Sequence, residues 1–218
     1  MKHAMLVLAM ASFLGCAAEQ RGSSDWVDLL PTKDLKGWKR YPLDPAVPLV
    51  AKEVYKVSDD ARILVVDAVG GVKEVLIQEE ERGDGIFHVE WRWGKDQGEK
   101  PNYNGGIYLR SAPDGKTWIQ AQVARGAKPP VVGDLIGMLM MDGKPTRVDR
   151  LQAGPSRELP VGEWNTYDIT AKGGEFTVIL NGIKTVDGAK DAKLPKGRIA
   201  LQYGGGIVRF RKVEIRPL

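Results

Sequence analysis

One cysteine and two histidines among 218 residues rule out much of the usual side-chain chemistry. A single cysteine, Cys16, permits no internal disulfide. His3 belongs to the N-terminal leader region, which leaves His88 as the only histidine in the body of the chain. A multi-histidine metal site is thereby excluded. A Ser-His-Asp triad would have to use His88, and no G-x-S-x-G accompanies it. Charge of one sign is never concentrated. The formal net charge is +4, and no run of five basic residues occurs, so the basic face that nucleic-acid binding needs is missing. Long 3.6-residue periodicity is also absent. The glycine run Gly204 to Gly206 lies between strand-like segments and reads as a turn rather than a phosphate cradle. No cofactor is expected. An all-oxygen cation site on the loop carboxylates of Ser58 to Ala61 or at Asp142-Gly143 stays open, without EF-hand spacing to support it.

What the chain does have begins with its N-terminus. Ala4 to Leu14 is an apolar run behind Lys2 and His3, too short to span a bilayer and suited to a secretory h-region. Leu14-Gly15-Cys16 resembles a lipobox, with Phe13 where a smaller aliphatic residue is usual. The expectation is a lipoprotein-type signal over residues 1–16 that ends at a lipidated Cys16. A polar tether follows over 17–24, and a single domain over 25–218. Ordinary signal cleavage after Ala18 is the alternative. The protein is expected to be exported and held at a membrane by its lipid alone. Loss of Lys2 with the signal lowers the charge from +4 to +3.

From Asp25 onward, short segments alternate apolar and polar residues at about ten-residue spacing, separated by turn residues. Asn181-Gly182 between two such segments signals a type I′ hairpin. With 43% apolar content the chain can bury one core. The fold expected is all-β, an antiparallel sandwich or barrel. Period two assigns the faces. Phe87, Val89, Trp91 and Trp93 point inward, which leaves His88, Glu90 and Arg92 outward. Ile107 and Leu109 point inward, with Tyr108 and Arg110 outward. Ile119, Ala121 and Val123 point inward, with Trp118, Gln120 and Gln122 outward. If these strands are neighbours, they offer one outer surface of amides, guanidinium groups and aromatic rings suited to a carbohydrate. A solvated polar face is the plainer account of the same pattern.

At these residues the chain resembles the 3-keto-disaccharide hydrolase domain family, whose members are concanavalin A-like jelly-roll sandwiches. Gly37-Trp38, Glu90-Trp91-Arg92, Asn104 to Arg110, Gly162 to Asn165 and Leu180 to Gly182 match its pattern in order. Gly197 to Gln202 and Val208 to Arg211 complete the match. Two positions depart from it. Gln120 stands where the family commonly has a glutamate, and Gly204 where it has a larger polar residue. Gly133-Asp134 resembles an acidic turn that follows this strand in many members.

The resemblance implies cleavage of a glycosidic bond beside a C3 ketone. A base removes the acidified C2 proton, the C1 group leaves, and water adds back. One base near the operating pH and a holder for the enolate charge would suffice, unlike the paired carboxylates of ordinary glycosidases. Glu90, Asp134 and His88 are the candidate catalytic groups. Arg92, Asn104, Tyr108, Arg110, Gln120 and Gln122 are the candidate substrate-binding groups. Glu90 beside its arginines reads equally as a structural ion pair. Because an amide cannot move a proton as a carboxylate does, a non-catalytic carbohydrate-binding module is the alternative function.

Overall fold

The computed structural model describes residues 25–59, 62–95, 102–113, 115–126, 131–152, 157–190 and 195–218. The expected signal, Cys16 and the tether lie outside them. Among the described residues there is no helix. The strands are β1 (Val27–Asp28), β2 (Trp38–Pro42), β3 (Tyr55–Val57), β4 (Leu64–Asp67), β5 (Glu74–Arg82), β6 (Gly85–Trp93), β7 (Gly105–Ser111) and β8 (Trp118–Gln122). They continue as β9 (Leu135–Met141), β10 (Lys144–Gln152), β11 (Asn165–Lys172), β12 (Glu175–Leu180), β13 (Ile183–Lys190), β14 (Gly197–Tyr203) and β15 (Ile207–Pro217).

Two antiparallel sheets form. The first runs β13-β12-β11-β6-β15-β4-β3, with β1 paired to the far end of β15. The second runs β10-β9-β8-β7-β14-β5-β2. This is the expected sandwich of jelly-roll, concanavalin A-like type. Alternation makes it so locally: β6 buries every second residue from Gly85 to Trp93 and leaves the others half-buried. The Asn181-Gly182 turn joins β12 to β13 with both residues at positive φ, 50° and 77°, as a type I′ turn requires.

The core lies between the sheets. Trp91, Trp93, Tyr167 and Phe210 from the first sheet face Leu76, Ile107, Ile119 and Tyr203 from the second, all essentially inaccessible to water. The Tyr203 ring meets Trp93 and Phe210 edge-on, at centroid distances of 5.9 and 5.6 Å. Tyr167 straps the sheets together at one end. Its hydroxyl donates to the Gln122 carbonyl at 2.5 Å and accepts from the Gly133 amide at 2.8 Å.

Two of the sequence expectations about faces are corrected here. The first concerns Arg110. A β-bulge in β7 sets Tyr108 opposite Gln120 but Arg110 opposite Ile119, so Leu109 is an extra residue and the alternation slips. Arg110 therefore turns inward and is fully buried. Its guanidinium lies 5.3 Å from the Phe176 ring of the opposite sheet and donates to Asp84 Oδ1 at 2.8 Å. Asp84 also accepts from the Gly173 amide at 2.9 Å, which ties Arg110 to two turns at one end of the sandwich.

The second correction concerns His88, Glu90 and Arg92. They do face outward, but β6 sits between β11 and β15 in the first sheet, whereas β7 and β8 belong to the second. A sandwich has two outer faces on opposite sides, and period two alone does not say which of them a strand supplies.

Candidate functional site

The outer face of the second sheet holds a groove of about 790 Å³, within the size range of small-molecule sites. Of the nine candidate catalytic and substrate-binding residues, it brings together Asn104, Tyr108, Gln120 and Gln122. The antiparallel register explains how. Gln122, Gly106, Gln202, Val75 and Tyr41 form one row across β8, β7, β14, β5 and β2. Gln120, Tyr108, Ala200, Ile77 and Lys39 form the next.

The carboxamides are packed against glycines. Gln120 Nε2 donates to Gln122 Oε1 at 2.7 Å. The Gln120 side chain crosses directly over Gly106, where a Cβ would lie 2.1 Å from its carboxamide carbon. A Cβ on Gly204 would come within 2.7 Å of Asn104 Nδ2. The glycine that departs from the family pattern thus makes the space that the Asn104 amide occupies. With Gln202, also on the lining, four amides gather: two on β8, one on β14 and one at Asn104, just before β7. Each amide offers both a donor and an acceptor, the pattern that hydroxyl groups satisfy.

Beside the amides the floor is apolar. Val75, Ile77, Tyr108 and Ala200 form a second buried cluster on this outer face, flanked by Tyr41 and Trp118. The Tyr108 and Trp118 rings stack at 4.9 Å, 7° from parallel, and the Arg147 guanidinium lies 5.6 Å from the Trp118 ring. Burial pushes the Tyr108 phenol well above its ordinary pKa, so it remains protonated and serves as a hydrogen-bonding group rather than a base. Among the described lining residues there is no aspartate, glutamate or histidine; the charged ones are Lys116 and Arg147.

The remaining candidates lie elsewhere. Asp134 accepts the Gln122 amide through its backbone carbonyl at 2.9 Å, but its side chain is fully buried and off the groove lining. On the first sheet's outer face, His88 sits between two carboxylates: Nδ1 is 2.7 Å from Asp168 Oδ1, and Nε2 is 3.3 Å from Glu90 Oε1. The Asp168 bond raises the His88 pKa against the opposing effect of burial. Burial also pushes Glu90 upward, but bonds from Arg211 and His88 outweigh it and leave the carboxyl below its usual value. Glu90 is therefore an engaged carboxylate and a weak base. Arg92 and Arg211 each lie 4.5 Å from the Trp164 ring. Among the described residues, no group of three or more His, Cys, Asp or Glu side chains could hold a metal ion.

Several groove residues escaped the sequence reading. Tyr41, Val75, Ile77, Gln202 and Arg147 come from strands distant in sequence from the polar rows first considered. A signal existed for two of them: Val75-Leu76-Ile77 is apolar without alternation, which marks a strand covered on both faces. Glu158 also went unnoticed. Burial pushes its carboxyl up to about 7 despite Arg125 at 3.4 Å, but it does not line the groove.

Comparison with known proteins sets the family. Residues 25–216 match the 3-keto-alpha-glucoside-1,2-lyase-like domain. No curated protein matches the chain. Among solved structures, one named a "putative glycosyl hydrolase" from Parabacteroides distasonis ATCC 8503 is 21% identical, with a TM-score of 0.57 over 88% of this chain and 99% of that one. The carbohydrate binding module CBM66 from Bacillus subtilis is 15% identical, with a TM-score of 0.54 over 81% and 93%. A Bacillus subtilis protein of unknown function with a galectin-like fold is 14% identical, with a TM-score of 0.57 over 86% and 92%. At these identities the likeness is one of fold.

Proposed function

The chain belongs to the 3-keto-alpha-glucoside-1,2-lyase-like domain family, and on that premise we propose that its groove binds a carbohydrate without transferring a proton. One observation carries this reading. Carboxamides converge beside stacked aromatic rings, and the described lining residues include no carboxylate or imidazole. Amides hold hydroxyl groups in place, and rings present flat apolar faces to a sugar's C–H faces. Removal of a C2 proton needs a group with a pKa near the operating pH. Gln120 and Gln122 have no such pKa, and Tyr108 is held protonated.

Cleavage of a 3-keto-glycoside by C2 deprotonation, elimination and hydration is the second reading, favoured by the family itself. It requires a base beyond the described lining. Incubation with 3-keto-trehalose and with trehalose separates the two. Binding of sugar with no released glucose supports the binding reading; turnover of 3-keto-trehalose overturns it. Export and anchoring through a lipid on Cys16 complete the proposal, on the strength of the h-region and the lipobox-like Leu14-Gly15-Cys16.

A further inference from the structure

We infer that the groove takes a glycoside with an apolar aglycone, sugar at one end and aglycone at the other. The inference rests on the carbohydrate-binding reading of the same groove. The polarity of the lining changes across the strands. Asn104, Gln120, Gln122 and Gln202 supply amides from the β7, β8 and β14 side. On the β5 and β2 side the lining becomes Val75, Ile77, Tyr41, Pro42, Leu43 and Pro45, in which the Tyr41 hydroxyl is the one side-chain polar group. A second sugar placed there would find few partners, the Tyr41 hydroxyl and the Lys39 ammonium 5.4 Å from the Tyr41 ring, and its other hydroxyls would face apolar groups at the cost of their desolvation.

The segment that follows β2 extends this apolar end into solvent. Leu43, Val47, Leu49 and Val50 are 44%, 40%, 40% and 37% exposed within eight residues. The segment is fastened at both ends. The Leu43 amide donates to the Lys73 carbonyl at 3.0 Å. At the other end the Val50 amide donates to Glu74 Oε1 at 2.7 Å, and Arg40, paired with the same buried carboxylate, donates to the Val50 carbonyl at 2.9 Å. An apolar rim held in place beside a concave site marks a binding surface rather than a loose loop. It is continuous with the amide end through Leu43 and Pro45, which line the same groove. A single amphipathic small molecule accounts for both ends.

Calorimetric titration of the full chain with methyl and phenyl glycosides of glucose, galactose and mannose, and with phenol alone, tests the inference. The phenyl glycoside of the sugar that binds should be at least about tenfold tighter than its methyl counterpart, reflecting burial of one more apolar ring. Leu43→Ser, at an exposed position where folding tolerates the change, should narrow that ratio by about threefold. Equal affinity for methyl and phenyl glycosides, or a ratio that Leu43→Ser leaves unchanged, overturns the aglycone inference while the carbohydrate reading stands. Binding of phenol as tight as that of the phenyl glycoside overturns both, as does binding of no glycoside at all.

Discussion

Truncating Arg110 tests the bulge in β7 directly. Were Arg110 on the outer face, Arg110→Ala would cost at most about 1 kcal/mol, the upper range for an exposed ion pair. The structure sets a larger figure. The side chain is fully buried, its guanidinium lies 5.3 Å from the Phe176 ring, and it donates to Asp84 at 2.8 Å. Removing a long side chain from a packed interior costs about 2–5 kcal/mol, and the charge-assisted bond adds about 1.5–3 kcal/mol. Against this, the guanidinium no longer has to be held out of water. Asp84 is about a third exposed, 35% by its side chain, so water can replace its lost partner. A net loss of about 3 kcal/mol follows, which for a domain of this size lowers the thermal midpoint by about 6–12 °C. Arg110→Met keeps most of the volume and carries no charge to bury, so it should cost only about 1 kcal/mol. Denaturant and thermal midpoints of the three proteins decide the matter. If Arg110→Ala and Arg110→Met both lie within 0.5 kcal/mol of the parent, by a threshold of roughly the scatter of surface substitutions, the inward placement is wrong. If the folded Arg110→Ala protein alone loses carbohydrate binding, the residue belongs to a site.

Gly106→Ala would place a methyl group 2.1 Å from the Gln120 carboxamide, forcing that side chain off the groove floor. Carbohydrate affinity should fall by about tenfold, the worth of one displaced hydrogen-bonding group, while the thermal midpoint moves little; unchanged affinity would remove Gln120 from the site. His88 has a raised pKa through Asp168, so its stabilising charge is fully present below its ordinary value near 6.5 and is lost as pH rises through the higher folded value. His88→Gln should abolish that part of the pH dependence in denaturant midpoints, and a parallel pH profile for the two proteins would count against the Asp168 contact. Glu158 is raised by burial from 4.5 to about 7, so the folded state holds its proton more tightly and stability falls as pH climbs between those values. Glu158→Gln should be the more stable protein at pH 8, and a loss of stability there would refute the buried placement. Palmitate labelling in cells should mark the parent protein and not Cys16→Ala; equal labelling would rule out lipidation at Cys16.

The period-two pattern by itself determined the class of fold, the hairpin at Asn181-Gly182 and the inward set Phe87, Val89, Trp91 and Trp93, because alternation is a local consequence of strand geometry. It also placed Tyr108, Gln120 and Gln122 on an outer face, and the ordered motifs pointed to the family that residues 25–216 match. Strand pairing was beyond its reach. Whether β6 lies beside β7 depends on contacts between residues far apart in the chain, and those put His88, Glu90 and Arg92 on the opposite side of the molecule from Gln120. Arg110 failed for a smaller reason. One extra residue in β7 reverses every later side chain, and that bulge is fixed by the register against β8 rather than by the letters of β7. The apolar half of the groove was hidden as well. Val75, Ile77 and Tyr41 become part of it only when β5 and β2 close the sheet beside β14, where the outer face of a strand apolar on both sides is covered by neighbouring side chains such as Tyr108 and Tyr41 rather than by a further sheet.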